Sequence, residues 1–246
     1  MKQIRQITIF LFLFLLFTNT PIASAHRPAT ASEGITEIPN ITTSFAYYQE
    51  LQTAEQVDQY SFTAEVGDFF HAGINIPAID GLEKYGVAMA LVGSGLPELP
   101  ADALPAVTDN HHDGGAEKDE HAHEIEGLIV PSVVSEDFYE PFTQTNYWGR
   151  QTLELDLPAS GEYSLLVWNP KGSTGKYVLD TGTEEVFGLA DLFRFPIWWI
   201  NVHAYFGHTP YMAAVGLLLA ALVVFWLRRR FGRQQPLPKP QREKFA

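Results

Sequence analysis

The 246-residue chain carries 16 Lys and Arg against 29 Asp and Glu, a net charge of −13, and no cysteine. Disulfides, thiolate nucleophiles, Cys-ligated zinc and iron–sulfur clusters are thereby excluded, and the length allows one good-sized domain or two small ones. Two of the bases lie in the first five residues and seven after Leu227, so the stretch from His26 to Leu227 holds 28 acids against seven bases, a balance that repels nucleic acid and anionic lipid.

Residues 1–25 read as a secretory signal: basic MKQIR, the apolar run ITIFLFLFLLF, then a small-x-small site at Ala23 and Ala25 that predicts cleavage after Ala25. Residues 26–42 then form an N-terminal leader without periodicity. From about residue 43, apolar residues recur at every second position. Tyr60, Phe62 and Ala64 make one such run. Phe70, Ala72, Ile74 and Ile76 follow a turn at Val66-Gly67. Val87, Met89 and Leu91 make a third run, and Leu153, Leu155 and Leu157 a fourth. Strands half-buried in a sheet need this alternation, and turn signals between short strands predict an antiparallel β-sandwich.

The stretches YYQELQTAEQVDQYSFTAEVGDFFHAGINIP and LELDLPASGEYSLLVWNPKGSTGKYVLDTG resemble the bacterial pre-peptidase C-terminal (PPC) domains. The likeness rests on Asp58 before Tyr60 and Phe62, on the Gly67-Asp68 turn, on Ser160-Gly161-Glu162-Tyr163, and on Gly175-Lys176-Tyr177. It covers residues 43–182. It implies a secreted, jelly-roll-like sandwich that serves as an accessory binding polymers, sugars or a neighbouring domain. These motifs describe turns and core aromatics and contain no catalytic centre. No peptidase accompanies them, and an insert at 95–126 departs from the pattern.

Within that insert, residues 109–126 hold four of the eight histidines, His111, His112, His121 and His123, among seven carboxylates. Imidazole and carboxylate suit zinc or copper, but the spacing matches no recognised metal motif, and a solvated acidic loop has the same composition. His26 adds a second route to metal. With cleavage after Ala25 it opens the mature chain, and an N-terminal His offers both its amine and Nδ1 to Cu²⁺. His71 on a predicted strand, or a histidine of the insert, is the candidate second ligand; alone, His71 reads as an outward strand residue.

Between Tyr139 and Gln151, Phe142, Tyr147 and Trp148 alternate with polar Gln144 and Arg150, a mixture suited to a sugar or peptide surface. The competing reading is a strand connection whose aromatics close the end of the sandwich. Residues 183–209 are apolar and aromatic. They fit a short helix kinked at Pro196 that either lies on a membrane or packs under the outer domain. Residues 210–227 are uncharged and followed at once by Arg228, Arg229 and Arg230, the pattern of a membrane span with a cytoplasmic basic tail, here 228–246.

The sequence therefore predicts an all-β protein: an antiparallel, jelly-roll-like β-sandwich ectodomain, a juxtamembrane helix and one C-terminal transmembrane helix. The function favoured is a non-catalytic, single-pass membrane module, extracytoplasmic, without a cofactor, binding an envelope protein or polysaccharide at Phe142, Gln144, Tyr147, Trp148 and Arg150. Lipid contacts its C-terminal helix, and nucleic acid is not a partner. The alternative is a copper or zinc binder using His26, His71, His111, His112, His121 and His123. Serine-hydrolase, nucleotide-loop and calcium-loop motifs are absent, so no residue pattern points to an enzyme.

Overall fold

A computed structural model describes residues 26–32, 34–100, 102–105, 125–130, 137–141 and 143–231. The signal segment, His111, His112, His121, His123, Phe142 and the basic tail beyond Phe231 lie outside them. The chain divides into two compact units, Met1–Trp198 and Trp199–Ala246.

Among the described residues, the first unit contains twelve strands in two six-stranded sheets. The strands are β1 (Arg27–Ala29), β2 (Ile35–Glu37), β3 (Phe45–Leu51), β4 (Val57–Ala64), β5 (Phe69–Pro77), β6 (Ala88–Gly93), β7 (Glu98–Leu99), β8 (Ile125–Val130), β9 (Asp137–Glu140), β10 (Thr145–Asp156), β11 (Gly161–Trp168) and β12 (Gly175–Thr181). The first sheet has the order β1-β3-β12-β5-β10-β9, the second β2-β4-β11-β6-β8-β7. The expectation of purely antiparallel sheets is corrected at two edges. β1 pairs with β3 in parallel, and β2 with β4 in parallel. Both edge strands come from the stretch read as a leader, and Ile38 and Ile41 from that stretch are buried in the core. Three-residue strands carry too little periodicity to be seen in sequence.

Alternation decides what faces inward. On β4, Tyr60, Phe62 and Ala64 are buried; on β5, Phe70, Ala72, Ile74 and Ile76 are fully enclosed. The two inner faces meet through rings. Phe62 of the second sheet stacks on Phe70 of the first at 4.5 Å and on Tyr163 of its own sheet at 5.6 Å. Each such ring stabilises the fold by roughly 1.5–3 kcal/mol through burial. Tyr163 also donates to the carbonyls of Ser94 and Ala159. Its ring lies where a Cβ on Gly93 would stand, 2.1 Å from Cδ1, so the opposite strand position has to be glycine.

A polar chain ties the sheets together. Tyr177 on β12 donates to Asp58 on β4 at 2.5 Å, and the Tyr60 and Tyr177 hydroxyls lie 3.0 Å apart. Burial pushes the Tyr60 and Tyr177 hydroxyls far above their ordinary pKa, so both remain protonated donors.

After β12 the chain forms helix α1 (Leu189–Tyr205), which continues through Pro196. Its faces differ. Asp191 is buried, accepts from the Gly188 amide at 2.8 Å, and is bridged by Arg27 of β1 at 3.1 Å. Arg27 also lies 5.8 Å from the Trp198 ring, so one side chain spans two turns of the helix. On the opposite face Leu189, Leu192, Phe193 and Ile197 are exposed. The expectation that this segment packs on the outer domain is met on the Asp191 face.

Within the second unit, Val202 and Phe206 are buried, and His203 Nδ1 lies 2.8 Å from His208 Nδ1. Helix α2 (Thr209–Phe231) has 23 residues and no buried side chain across its apolar stretch. It is long and apolar enough to cross a membrane. At about 1.5 Å per residue it measures roughly 34 Å, longer than the predicted 210–227 span because the helix takes in Thr209 and the arginines.

Candidate functional site

The outer face of the first sheet is where polar groups are buried. Residues that alternate with the core positions point there: His71, Gly73 and Asn75 from β5, Val178 and Asp180 from β12, Ala46 and Tyr48 from β3, and Glu154 from β10. Asp180 is the centre. Its carboxylate accepts from Asn75 Nδ2 at 2.5 Å and pairs with His71 Nε2 at 3.0 Å. Gly73, directly opposite Asp180 in the ladder, leaves the room, since a Cβ there would stand 2.6 Å from both carboxylate oxygens. His71 Nδ1 meets Glu154 at 3.1 Å, so both ring nitrogens are committed to carboxylates. The hydrogen bond to Asp180 raises the His71 pKa above its ordinary value; burial opposes this without cancelling it.

Beside this cluster the face opens into a pocket. Tyr48, Phe138 and Tyr147 give it aromatic walls, and His26, Asn75, Glu140, Thr143 and Asp180 give it polar ones. Its cavity is about 20 Å³, room for a water or a single small polar group. Glu140 accepts from the Thr143 amide at 2.5 Å and from the Thr143 hydroxyl, which fixes the rim. Phe138 stacks on Tyr147 at 5.3 Å, and burial raises the Tyr147 pKa.

The predicted residues divide as follows. Tyr147 lines the pocket and reaches Tyr48 at 3.4 Å. Trp148, next along β10, faces the other way and packs on the core. Arg150 sits at a bulge between Gly149 and Gln151 and donates to the carbonyls of Glu83 and Tyr85, holding a loop. Gln144 occupies a turn with φ of 58°. The stretch expected as one surface is therefore split across two faces of a strand, because from Thr145 onward it is β10 and not a connection. Of the predicted metal residues, His26 lines the same pocket with its Nδ1 bound to Ser44 Oγ at 2.5 Å, and His71 is the outward strand residue described above. Among the described residues no group of three or more His, Asp or Glu side chains is placed to hold a metal ion.

Sequence reasoning missed Tyr48, Asn75, Glu140, Thr143 and Asp180. Alternation along β5 places Asn75 outward, but nothing local marks an outward residue as buried.

No protein family matches the chain, and no curated protein does. Among solved structures it is similar to PliG of Aeromonas hydrophila, a periplasmic lysozyme inhibitor of g-type lysozyme. The identity is 14%, over 65% of this chain and 100% of that one, with a TM-score of 0.33. It is also similar to a mutant of the Escherichia coli inhibitor PliG-Ec at 18% identity, with the same coverage and a TM-score of 0.31. What stands established is a mostly β protein of two mixed sheets with a C-terminal helix able to span a bilayer.

Proposed function

We propose that this chain is a non-catalytic binding module, secreted through its N-terminal signal and held outside the cytoplasmic membrane by α2. Its first sheet presents the outer-face pocket to an envelope protein or polysaccharide. The pocket carries this reading: aromatic walls from Tyr48, Phe138 and Tyr147 surround convergent polar groups on a rigid sheet, the composition of a recognition site. The arginines closing α2 support a cytoplasmic tail. With the short edge strands set aside, β3-β12-β5-β10 opposite β4-β11-β6-β8 supports a jelly-roll order. The Asp58, Tyr60 and Tyr177 contacts support the PPC-like resemblance, since those motif residues meet.

A second reading has one observation in its favour. His26 lines the pocket, where with cleavage after Ala25 its amine and imidazole would both be offered to copper or zinc.

The test is a binding titration of the detergent-solubilised full chain with envelope polysaccharide and with envelope protein fractions, repeated for Tyr48→Ala and Asn75→Ala. Binding that weakens in both variants is expected. Binding that is unchanged in both would place the recognition surface elsewhere. Copper titration of the mature chain and of His26→Ala separates the second reading: equal binding by both removes it.

A further inference from the structure

We propose that the outward face of α1 is a lipid-docking surface lying in the headgroup layer of the outer leaflet, so that the sandwich is clamped to the membrane and does not swing from it. Leu189 is 82% exposed, Leu192 66%, Phe193 84% and Ile197 59%. The spacing of these residues, three and four apart, lines them along one face of the helix. A stripe of four large apolar side chains left in water is unfavourable.

Three observations select lipid as what covers it. The chain gives α1 three residues, Phe206, Gly207 and His208, before the apolar helix α2 begins, so α1 is bound to lie near the bilayer surface if α2 crosses it. Between Val186 and His208 the sole acidic residue is Asp191, and its carboxylate is turned to the buried face and bridged by Arg27. Arg194, 58% exposed, also pairs with Asp191 at 3.7 Å, so that carboxylate is balanced from two sides. The rest of the ectodomain is strongly acidic, so this face is the part of the chain that a bilayer does not repel. Asp191 and Trp198 hold the helix to β1 through Arg27, which leaves the stripe turned outward in a fixed orientation.

The inference rests on the reading that α2 spans the bilayer, and the test distinguishes failure of one from failure of the other. The chain has no cysteine, so single cysteines report cleanly. The full chain is reconstituted in phosphatidylcholine vesicles as Phe193→Cys, Leu218→Cys or Val66→Cys, each labelled with an environment-sensitive fluorophore. Spin-labelled lipids then quench at shallow or deep positions. The label at 193 should lose most of its emission to the shallow quencher, the label at 218 to the deep one, and the label at 66 little to either. If 218 is quenched and 193 behaves like 66, or is reached freely by aqueous iodide, the docking face is overturned and the anchor stands. If 218 is not quenched, the anchor reading fails and the docking face falls with it. Because Phe193 and Val66 are both exposed, neither change removes a core contact, and an unchanged melting transition confirms that the sandwich is folded in each variant.

Discussion

His71 lies between two carboxylates, and that has a direction in pH. Its folded pKa is raised above the ordinary value of about 6.5, chiefly by the bond to Asp180. A raised histidine contributes stability that is fully present below the unfolded pKa and lost as pH rises through the folded one. The melting temperature should therefore fall as pH climbs from about 6 into the alkaline range. In His71→Gln, which keeps a donor for Asp180 but cannot titrate there, this part of the fall should disappear from the pH–Tm curve. Gly73 supplies a companion expectation. Gly73→Ala sets a methyl 2.6 Å from the Asp180 oxygens, and Asp180 is fixed by two partners. Overpacking of this kind costs about 1–3 kcal/mol, readable as a lower urea midpoint with unchanged slope. The sequence showed that His71 points outward, because alternation along β5 is local information. It did not show Asp180, which lies on a strand more than a hundred residues later.

At the level of elements, the recurring apolar alternation made β4, β5, β6 and β10 legible, and length and composition made α2 so. The motifs Asp58-x-Tyr60 and Gly175-x-Tyr177 were visible as a resemblance, and their physical meaning is the hydrogen-bonded chain between the sheets. Tyr177→Phe should cost about 1–3 kcal/mol by leaving Asp58 and Tyr60 without that hydroxyl, a loss measurable by chemical denaturation. The short strands β1 and β2 were hidden because three residues carry no period. Trp148 faces the core and Arg150 holds a loop: the first follows from strand alternation once β10 is known, the second from a bulge between Gly149 and Gln151 that no pattern reveals. The tie between β1 and α1 was equally invisible, being a pair 164 residues apart. Its removal is informative: Arg27→Ala leaves the buried Asp191 carboxylate with only the longer contact to exposed Arg194, 3.7 Å away on the same helix, and without its tie to β1. Amide hydrogen exchange in the first turns of α1 should then quicken by more than in the strands of the core, and equal exchange would show that the pair does not hold the helix.

For the whole molecule, the expected topology makes a prediction independent of any ligand. Protease added to intact cells should cut within residues 95–126 of the insert, and a reporter fused after Ala246 should be reached only in permeabilised cells. The reverse result would invert the proposed orientation. The β-rich domain and the long apolar C-terminal helix were legible because each has a composition dictated by its surroundings. The pocket was not, because it is assembled from β3, β5, β9, β10 and β12, whose meeting is fixed by the order of strands across a sheet. That order also governs how the protein bears load. The strand leading toward the anchor, β12, lies inside its sheet between β3 and β5 and is laddered to both. Tension drawn through the C-terminal helices would have to shear two rows of hydrogen bonds at once, where an edge strand would peel away one bond at a time.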